Sequence, residues 1–263
     1  MNMIHRIGPY RTVALPPQPA ETLKVRNMAL QSRVSSLRRQ LDEVNRAHQL
    51  ETAALRTELE RWKSLSEKDP LTGLYTVHAF KQKLVTLIDG AFRYDRGFSL
   101  AFIDLDSFKK VNDRNGHQAG DLALKQVADI LSKRLRGTDF AGRYGGDELV
   151  MILDETFYGN AITPLEAVRQ MVQNSPLPLD DGTRLQLTVS IGFSQLLPPG
   201  EKKRLPLKEI MAEKKRLIRE ADTALYASKY RGKNQVTPFS EEVRRYVEEQ
   251  RDLKRTGNHP AIV

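Results

Sequence analysis

The sequence has no cysteine, a single tryptophan and no long apolar run, and each absence excludes a class of protein. Without cysteine there are no disulfide bonds and no thiolate metal sites, so any bound metal must rest on carboxylates. No stretch approaches the roughly 18 consecutive apolar residues that a membrane span needs. The N-terminal region contains Pro16, Pro17 and Pro19 but no apolar core of signal-peptide length. We therefore expect a cytoplasmic protein without a membrane span.

Positive charge is in excess. The net charge of +9 suits an anionic partner such as a nucleotide, a nucleic acid or a membrane surface, although solubility alone would also account for it. A nucleic-acid-binding helix would need aromatic side chains interleaved on a basic face. The helical N-terminal segment has only Trp62, so we expect no nucleic-acid partner.

The chain divides into four zones. Residues 1–20 are proline-rich and aperiodic, which predicts a flexible arm. Residues 21–68 have a helical pattern and predict a coiled-coil helix for dimerisation and signalling. Residues 69–239 alternate helix and strand patterns and predict a mixed α/β domain. Residues 240–263 predict a charged C-terminal helix and tail, whose role the sequence does not indicate.

An apolar seam in residues 21–68 predicts an intermolecular coiled coil, because two series of residues each recur every seven positions. One is Leu23, Leu30, Leu37 and Val44; the other is Asn27, Val34, Leu41 and His48. Past His48 a four-residue shift, a stutter, restores the seam at Leu55, Leu59 and Trp62. The other interpretation is one amphipathic helix packed on its own domain, but the seam is narrower than such a helix usually needs.

The third zone predicts a mixed α/β domain with helices packed on a central sheet. The predicted helices are 77–94, 119–135, 164–173 and 207–231, followed by 240–255 in the fourth zone. The predicted strands are 98–105, 139–144, 148–153, 184–193 and 235–239, with a loop at 195–206. Gly145 and Gly146 separate two strands, which predicts a β-hairpin with a two-glycine turn.

Acidic residues stand at the ends of neighbouring strands. Asp104 and Asp106 close the strand 98–105, and alternation places both on one face. Asp147 and Glu148 follow the two glycines, which allow close approach of a ligand. Converging carboxylates are the ligands that Mg²⁺ needs, and bound ions can activate an attacking hydroxyl. A single strand-end acid is often only a solvated cap, but two such clusters favour a metal site.

Four motifs give the chain a resemblance to the GGDEF family of diguanylate cyclases. The segment Arg143-Tyr-Gly-Gly-Asp-Glu-Leu resembles the signature hairpin, and Asp69-Pro-Leu-Thr-Gly-Leu resembles the opening motif. Residues 102–113 with 116–121 resemble the metal and guanine segment, and residues 221–234 resemble the terminal helix. The resemblance covers about residues 69–239, with the motifs in the family's order.

The resemblance implies a role for each matching residue. The metal ligands for Mg²⁺ or Mn²⁺ would be Asp104, Leu105 through its carbonyl, Asp147 and Glu148. Asp147 and Glu148 would also be catalytic, with Asp147 helping to deprotonate the ribose 3′-hydroxyl. The substrate-binding residues would be Phe108, Lys109, Asn112, His117, Asp121, Lys229 and Lys233. An ionised Asp121 accepts from two guanine N–H groups that adenine lacks.

The resemblance also implies a palm-like fold and a reaction. Each domain would bind one GTP, and each 3′-hydroxyl would attack the α-phosphate on the opposite domain, giving cyclic di-GMP and two pyrophosphates. A homodimer through the coiled coil would raise the effective concentration of the second half-site. Arg136 and Asp139 match the family's Arg-x-x-Asp product site, which implies feedback inhibition by cyclic di-GMP. They could instead be a helix-terminal arginine and a turn aspartate.

The chain departs from the family's pattern in three places. Leu149 replaces the signature phenylalanine, Thr76 and Val77 replace Asn-Arg, and residues 197–215 look longer and more basic than usual. The second departure leaves the coupling of the coil to the domain open. Three alternatives stand beside the cyclase: an inactive domain that binds GTP or cyclic di-GMP as a receptor or scaffold, a cyclase with a mixed GMP–AMP product, and a basic coiled coil that binds nucleic acid.

Overall fold

The computed structural model describes residues 20–65, 67–156, 158–179, 182–197 and 199–255. The predicted arm, apart from residue 20, and the tail from residue 256 lie outside these ranges. The chain forms two compact units, Met1–Arg61 and Trp62–Val263. Within the described ranges, no helix is both long and apolar enough to cross a membrane.

Helices and strands alternate along most of the chain. The helices are α1 (Ala20–Leu65), α2 (Val77–Tyr94), α3 (Phe108–Arg134), α4 (Tyr158–Gln173), α5 (Leu207–Tyr230) and α6 (Glu241–Arg255). The strands are β1 (Tyr75–Thr76), β2 (Phe98–Leu105), β3 (Phe140–Arg143), β4 (Glu148–Asp154), β5 (Leu177–Pro178), β6 (Arg184–Leu185), β7 (Val189–Leu196) and β8 (Val236–Pro238). This is the mixed α/β architecture that the sequence predicts.

Helix α1 exposes the apolar seam along its described part. Leu23, Leu30 and Leu37 are each just over half exposed, and Val34 and Leu41 are 47% and 59% exposed. The side chains of Leu59 and Trp62 lie outside the described set. The heptad leucines of the first unit are therefore available for a partner helix, as a coiled coil requires.

The central sheet of the second unit has the strand order β1-β3-β4-β2-β7-β8. Strand β2 pairs antiparallel with both β4 and β7, and β3 pairs antiparallel with β4. The edge strands β1 and β8 run parallel to their neighbours. Strand β2 therefore lies in the middle of the sheet, and all eight of its residues are buried.

The two faces of the sheet carry separate cores, because alternate residues of β2 point to opposite sides. Ala101, Ile103 and Leu105 belong to a core that includes buried residues of α3 and α4. Phe98, Leu100 and Phe102 belong to a second core, which includes buried residues of α2 and α5. By this alternation Asp104 continues the row that faces α2 and α5.

The structure corrects several predicted boundaries. The helix predicted to begin at residue 119 begins at Phe108 and is interrupted by Gly116, whose φ of 81° is not helical. The strand predicted over 184–193 is two strands, and β7 continues to Leu196, inside the predicted loop. Helix α4 begins at Tyr158 and includes Pro164, whereas the sequence predicts a helix that begins at Pro164. At Gly116 and Pro164 tertiary packing overrides a local glycine or proline signal.

The signature hairpin forms as predicted, with a connection longer than the two glycines. Strands β3 and β4 pair antiparallel, with Arg143 opposite Leu149, and both Tyr144 and Gly145 donate backbone hydrogen bonds to the Glu148 carbonyl. The connection covers residues 144–147, and neither glycine is among the described positive-φ residues. Asp147 ends this loop and Glu148 begins β4.

The longer, basic segment noted from the sequence and the C-terminal helix both pack on the domain. In that segment, the Lys203 backbone N–H donates to the Phe92 carbonyl at 2.9 Å, and the Gly200 N–H donates to Asp95 at 2.8 Å. Helix α6 buries Val243 and Val247 in a small cluster with Ala227 of α5. These segments extend the domain beyond its motif-bearing part.

Candidate active site

The candidate active site begins at the end of β2. Asp104 lies opposite Glu148 of β4 and Ser190 of β7 in the sheet register. Its side chain is only 9% exposed, and the Nζ atom of Lys229 lies 2.7 Å from Oδ2. The predicted metal ligand and a predicted triphosphate lysine are thus in direct contact.

The pKa of Asp104 reflects above all the burial of its carboxyl group. Burial raises it from 3.8 to about 6, and the nearby carboxylates of Asp147 and Glu148 act in the same direction. The hydrogen bond and positive charge of Lys229 oppose the rise. Three of the predicted ligands are therefore close enough to interact electrostatically, in a site that favours an added cation.

Lys229 reaches Asp104 because α5 lies unusually close to β7. A Cβ atom on Gly192 of β7 would fall 1.8 Å from the backbone nitrogen of Leu225. Ser228 fixes the end of α5 by donating its hydroxyl to the Ile191 carbonyl at 2.7 Å. The glycine permits a backbone contact that any side chain would prevent.

The signature loop is held by Arg143. Its Nε donates to the carbonyl oxygens of Gly145 and Gly146, both at 3.2 Å, and Nη2 donates to Gly146 at 2.8 Å. Its Nη1 lies 3.3 Å from both carboxylate oxygens of Asp69. One guanidinium therefore connects the opening motif to the loop that carries Asp147 and Glu148.

Asp69 is itself fixed by its neighbours. Its Oδ1 accepts hydrogen bonds from the Thr72 backbone N–H at 2.8 Å and from the Thr72 hydroxyl at 2.7 Å. Burial alone would raise the pKa of Asp69, but these hydrogen bonds and the charge of Arg143 lower it. Asp69 and Arg143 were not among the predicted site residues, although opposite charges in two concordant motifs were a usable signal.

Glu148 folds over the first glycine of the signature. A Cβ atom on Gly145 would lie 2.9 Å from Glu148 Oε2. A side chain at position 145 would therefore displace this carboxylate. The space that Glu148 occupies therefore explains the glycine at position 145.

The donor set suits a divalent cation, although it is not preassembled. Among the described residues no group of three or more histidine, aspartate or glutamate side chains forms a metal cluster. Asp104 is ion-paired with Lys229, while Asp147 and Glu148 are half-buried in the adjoining loop. Carboxylate oxygens nevertheless suit Mg²⁺ or Mn²⁺ as ligands. The raised pKa of Asp104 indicates a site that an added positive ion would stabilise.

Asn112 lies in a close contact that only glycine allows. A Cβ atom on Gly120 would fall 1.9 Å from Asn112 Oδ1 and 3.1 Å from Phe108 Cζ. Oδ1 is buried and has no hydrogen-bond partner within the described part of the chain. A buried acceptor without a donor is costly, so this oxygen is suited to an incoming ligand N–H. Sequence reasoning did not identify Gly120 as a shaping residue.

Other predicted substrate residues are not joined to this contact. Lys109, His117 and Asp121 are exposed on α3, and no hydrogen bond or ion pair among the described residues links them to Asn112 or Asp104. Lys233 lies nearer the site, with its Nζ 3.1 Å from the hydroxyl of Ser107, the residue before α3.

Asp106 is hydrogen-bonded to neighbouring protein groups. Its carboxylate accepts hydrogen bonds from the hydroxyls of Thr188 at 2.8 Å and Ser190 at 2.6 Å. These donors engage both carboxylate oxygens. The backbone pairing with β7 continues one step past β2, because the Asp106 N–H donates to the Thr188 carbonyl at 2.9 Å. Ser190, which lies opposite Asp104 in the register, contacts Asp106 as well, so the face that the sequence predicts for both acids is retained.

Arg136 and Asp139 form one turn. Asp139 accepts from the backbone N–H groups of Arg136 at 2.9 Å and Asp154 at 3.1 Å, and its own N–H donates to the Arg136 carbonyl at 3.1 Å. Arg136 is exposed. The aspartate thus fixes the turn and the arginine is presented to solvent.

The departures from the family pattern have structural explanations. Leu149 is fully buried and pairs with Ile103 in the sheet register, so it acts as a core residue. Thr76 is the N-cap of α2 and accepts a hydrogen bond from the Ala79 backbone N–H. A threonine is a favourable cap, so the change retains a local function.

Comparison with known proteins identifies the family. Residues 66–235 match the family model described as diguanylate cyclase, GGDEF domain. The chain therefore belongs to the GGDEF diguanylate cyclase family. It is 34% identical to diguanylate cyclase A of Treponema denticola over 164 residues, which cover 62% of this chain and 38% of that protein.

Two further relatives agree with this assignment. Response regulator PleD of Caulobacter vibrioides is 33% identical over 186 residues, which cover 70% of this chain and 38% of PleD. The crystal structure of the coiled coil and GGDEF domain of DgcB from Caulobacter crescentus, in complex with c-di-GMP, matches with a TM-score of 0.58 and 30% identity. That match covers 80% of this chain and 99% of the DgcB chain. The matched region is about two fifths of the curated relatives' length.

Proposed function

We propose that this chain is a diguanylate cyclase that condenses two GTP molecules into cyclic di-GMP and releases two pyrophosphates. The observation that carries the proposal is the buried Asp104 carboxylate, whose pKa is raised to about 6 by burial and by the nearby Asp147 and Glu148. A divalent cation would stabilise these carboxylates. Lys229 and Lys233 lie nearby and are suited to binding phosphates. Membership of the GGDEF family supplies the reaction class.

Asp104, Asp147, Glu148 and the carbonyl of Leu105 would hold Mg²⁺ or Mn²⁺. A bound divalent ion would lower the pKa of the attacking hydroxyl and stabilise the negative charge on the leaving pyrophosphate. Asp147 accepts the proton of the ribose 3′-hydroxyl. Lys229, now paired with Asp104, turns to the substrate phosphates once Asp104 has another positive partner, and its exposed part leaves room for this.

The nucleoside would be held around α3. Asn112 offers its buried, unpartnered Oδ1 to a guanine N–H, with Phe108 beside it. The exposed Asp121 and His117 complete the pocket when the base enters, and Asp121 selects guanine over adenine through its two acceptors. Lys109, Lys229 and Lys233 neutralise the triphosphate.

The reaction needs two nucleotide-bearing domains, since one GTP cannot form both new bonds. We propose that the exposed seam of α1 supplies the second domain by forming a homodimeric coiled coil. Residues 21–68 would then be the dimerisation segment and 69–239 the catalytic domain. The exposed Arg136 and the turn held by Asp139 would bind the cyclic di-GMP product and inhibit the enzyme.

The proposal is tested by measuring pyrophosphate release from GTP with Mg²⁺ for the unaltered chain and for Asp104→Asn and Asp147→Asn. Asp129→Asn, at an exposed aspartate of α3 outside the motif segments, is the matched control. We expect turnover from the unaltered chain and the control alone. Equal turnover in all four proteins would show that the carboxylate site is not catalytic.

A further inference from the structure

Asp106 contacts the turn that carries Lys233. Besides the hydroxyls of Thr188 and Ser190, its carboxylate accepts the backbone N–H of Asn234 at Oδ2, at 3.0 Å. Thr188 and Asn234 share Oδ2, and Ser190 bonds Oδ1. The end of β2 is thereby tied to β7 and to the segment between α5 and β8.

The segment between α5 and β8 is held in an unusual conformation. Gly232, Lys233 and Asn234 have φ values of 110°, 65° and 47°. The left-handed region is unfavourable for a residue with a side chain, so two such residues in succession persist only where neighbours fix them. Besides Asp106, Arg169 donates to the Asn234 side-chain oxygen at 2.7 Å, and Lys233 N–H donates to the Ser228 carbonyl at 3.0 Å.

This conformation determines where the Lys233 ammonium lies. Its Nζ is 3.1 Å from the hydroxyl of Ser107, which directly follows Asp106 in the chain. If the turn relaxed to an ordinary right-handed conformation, the side chain of Lys233 would leave the backbone in another direction. The hydrogen bond between Asp106 and Asn234 therefore links the turn to the strand that carries Asp104.

We propose that Asp106 is a positioning residue for nucleotide binding, acting through the 232–234 turn to hold Lys233 beside the active site. The inference rests on the proposed function, because Lys233 has a phosphate to bind only if the chain binds GTP. It assigns to Asp106 a task different from that of a metal ligand. Three protein donors bind the Asp106 carboxylate, two at Oδ2 and one at Oδ1, which favours a structural role for it.

The test combines Asp106→Ala, Asp106→Asn, Lys233→Ala and the double variant Asp106→Ala with Lys233→Ala. Asparagine keeps an oxygen for the Asn234 N–H and presents its amide to the Ser190 hydroxyl, which can accept instead. We expect Asp106→Ala and Lys233→Ala each to raise KM for GTP about tenfold, the equivalent of one lost charge-assisted hydrogen bond. The double variant should be no worse than either single variant, because the two act in one chain of contacts.

Two controls separate positioning from general stability. Asp106→Asn should retain KM within about threefold, and Ser190→Ala, which removes only the contact to β7, should leave KM unchanged while lowering Tm. The Mg²⁺ concentration for half-maximal rate should stay the same in Asp106→Asn. Hydrogen exchange at the Asn234 amide, which needs no activity, should become faster in Asp106→Ala than in Ser190→Ala.

The outcomes are distinct. Additive KM effects, an altered Mg²⁺ requirement in Asp106→Asn, or unchanged exchange at Asn234 would each overturn the positioning role while the unaltered enzyme still makes product. An unaltered chain that neither binds GTP nor forms cyclic di-GMP would overturn the proposed function, and the positioning role with it.

Discussion

The guanidinium of Arg143 contacts the carboxylate of Asp69, with Nη1 at 3.3 Å from both oxygens, across 74 residues of sequence. The same guanidinium donates to the carbonyls of Gly145 and Gly146, so it connects the start of the domain to residues 144–147. Hydrogen bonds in which a partner is ionised are stronger than those between neutral groups. The position of the loop that carries Asp147 therefore depends on a residue that need not touch substrate.

Replacing Arg143 with alanine should lower kcat on the order of 100-fold, because a displacement of about 1 Å in a catalytic group has an effect of that size. Steady-state kinetics with GTP would measure the change. The matched control is Arg96→Ala, which breaks the exposed pair between Arg96 and Glu155 and should leave kcat unaltered. Equal effects of the two substitutions would show that Arg143 has no special role in the loop.

Asp104→Asn should abolish turnover yet stabilise the fold above pH 6. The folded-state pKa of about 6 exceeds the ordinary 3.8, so the folded chain binds this proton more tightly than the unfolded chain. Without metal, the unaltered chain should lose stability as pH rises from about 4 to about 6, because the carboxyl group of Asp104 loses its proton. The Asp104→Asn variant has no such carboxyl group and should keep that stability. At pH 8 its free energy of unfolding should exceed that of the unaltered chain by about 1–3 kcal/mol.

Urea unfolding in a chelator between pH 4 and pH 8 would measure this difference. Asp113→Asn, at an exposed position, provides the matched control and should follow the unaltered chain. A stability difference between Asp104→Asn and the unaltered chain that does not vary with pH would contradict the assigned cause.

Gly120→Ala should weaken nucleotide binding, because the new methyl group would fall 1.9 Å from Asn112 Oδ1 and force that side chain out of place. We expect KM for GTP to rise about tenfold, the equivalent of one hydrogen bond. Gly90→Ala is the control: in α2 the nearest atom is 3.9 Å away, so this variant should keep its KM and gain about 0.5–1 kcal/mol of stability. An unchanged KM in Gly120→Ala would remove Asn112 from the proposed pocket.

Leu37→Glu in the seam of α1 should convert a dimer into a monomer, because it places a charge among residues that would pack between two helices. Sedimentation analysis would report the mass, and turnover at low protein concentration should fall at least about tenfold as the second half-site is lost. Ser36→Glu, one residue outside the seam, should remain dimeric and active. A monomeric unaltered chain with full activity would contradict the coiled-coil proposal.

Arg136→Ala should relieve inhibition by added cyclic di-GMP without lowering the initial rate. The side chain is exposed, and the turn itself depends on Asp139 and backbone bonds that the substitution leaves intact. Rates with increasing cyclic di-GMP would measure the effect, with Lys133→Ala as an exposed basic control on α3. Inhibition unchanged from that of the unaltered chain would refute the product site.

The sequence predicted those parts of the molecule that depend on local pattern. Helix α2 and strand β2 have the predicted bounds because their apolar periodicity is uninterrupted. The sequence did not indicate the close contacts at Gly120 and Gly192. Gly120 approaches the side chain of Asn112, eight positions away, and Gly192 of β7 approaches the backbone of α5. The sequence also did not indicate the hydrogen bonds that hold Asp106, because Thr188, Ser190 and Asn234 lie 82, 84 and 128 positions away.

The central claim is tested most directly by identifying the product. Purified chain would be incubated with GTP and Mg²⁺, and the nucleotides separated by chromatography and weighed by mass spectrometry, beside Asp147→Ala and a reaction with ATP. The account predicts cyclic di-GMP from GTP, with two pyrophosphates per product, and none from ATP or from the variant. A dimeric, folded chain that binds GTP but returns it unchanged would contradict the claim and indicate a receptor.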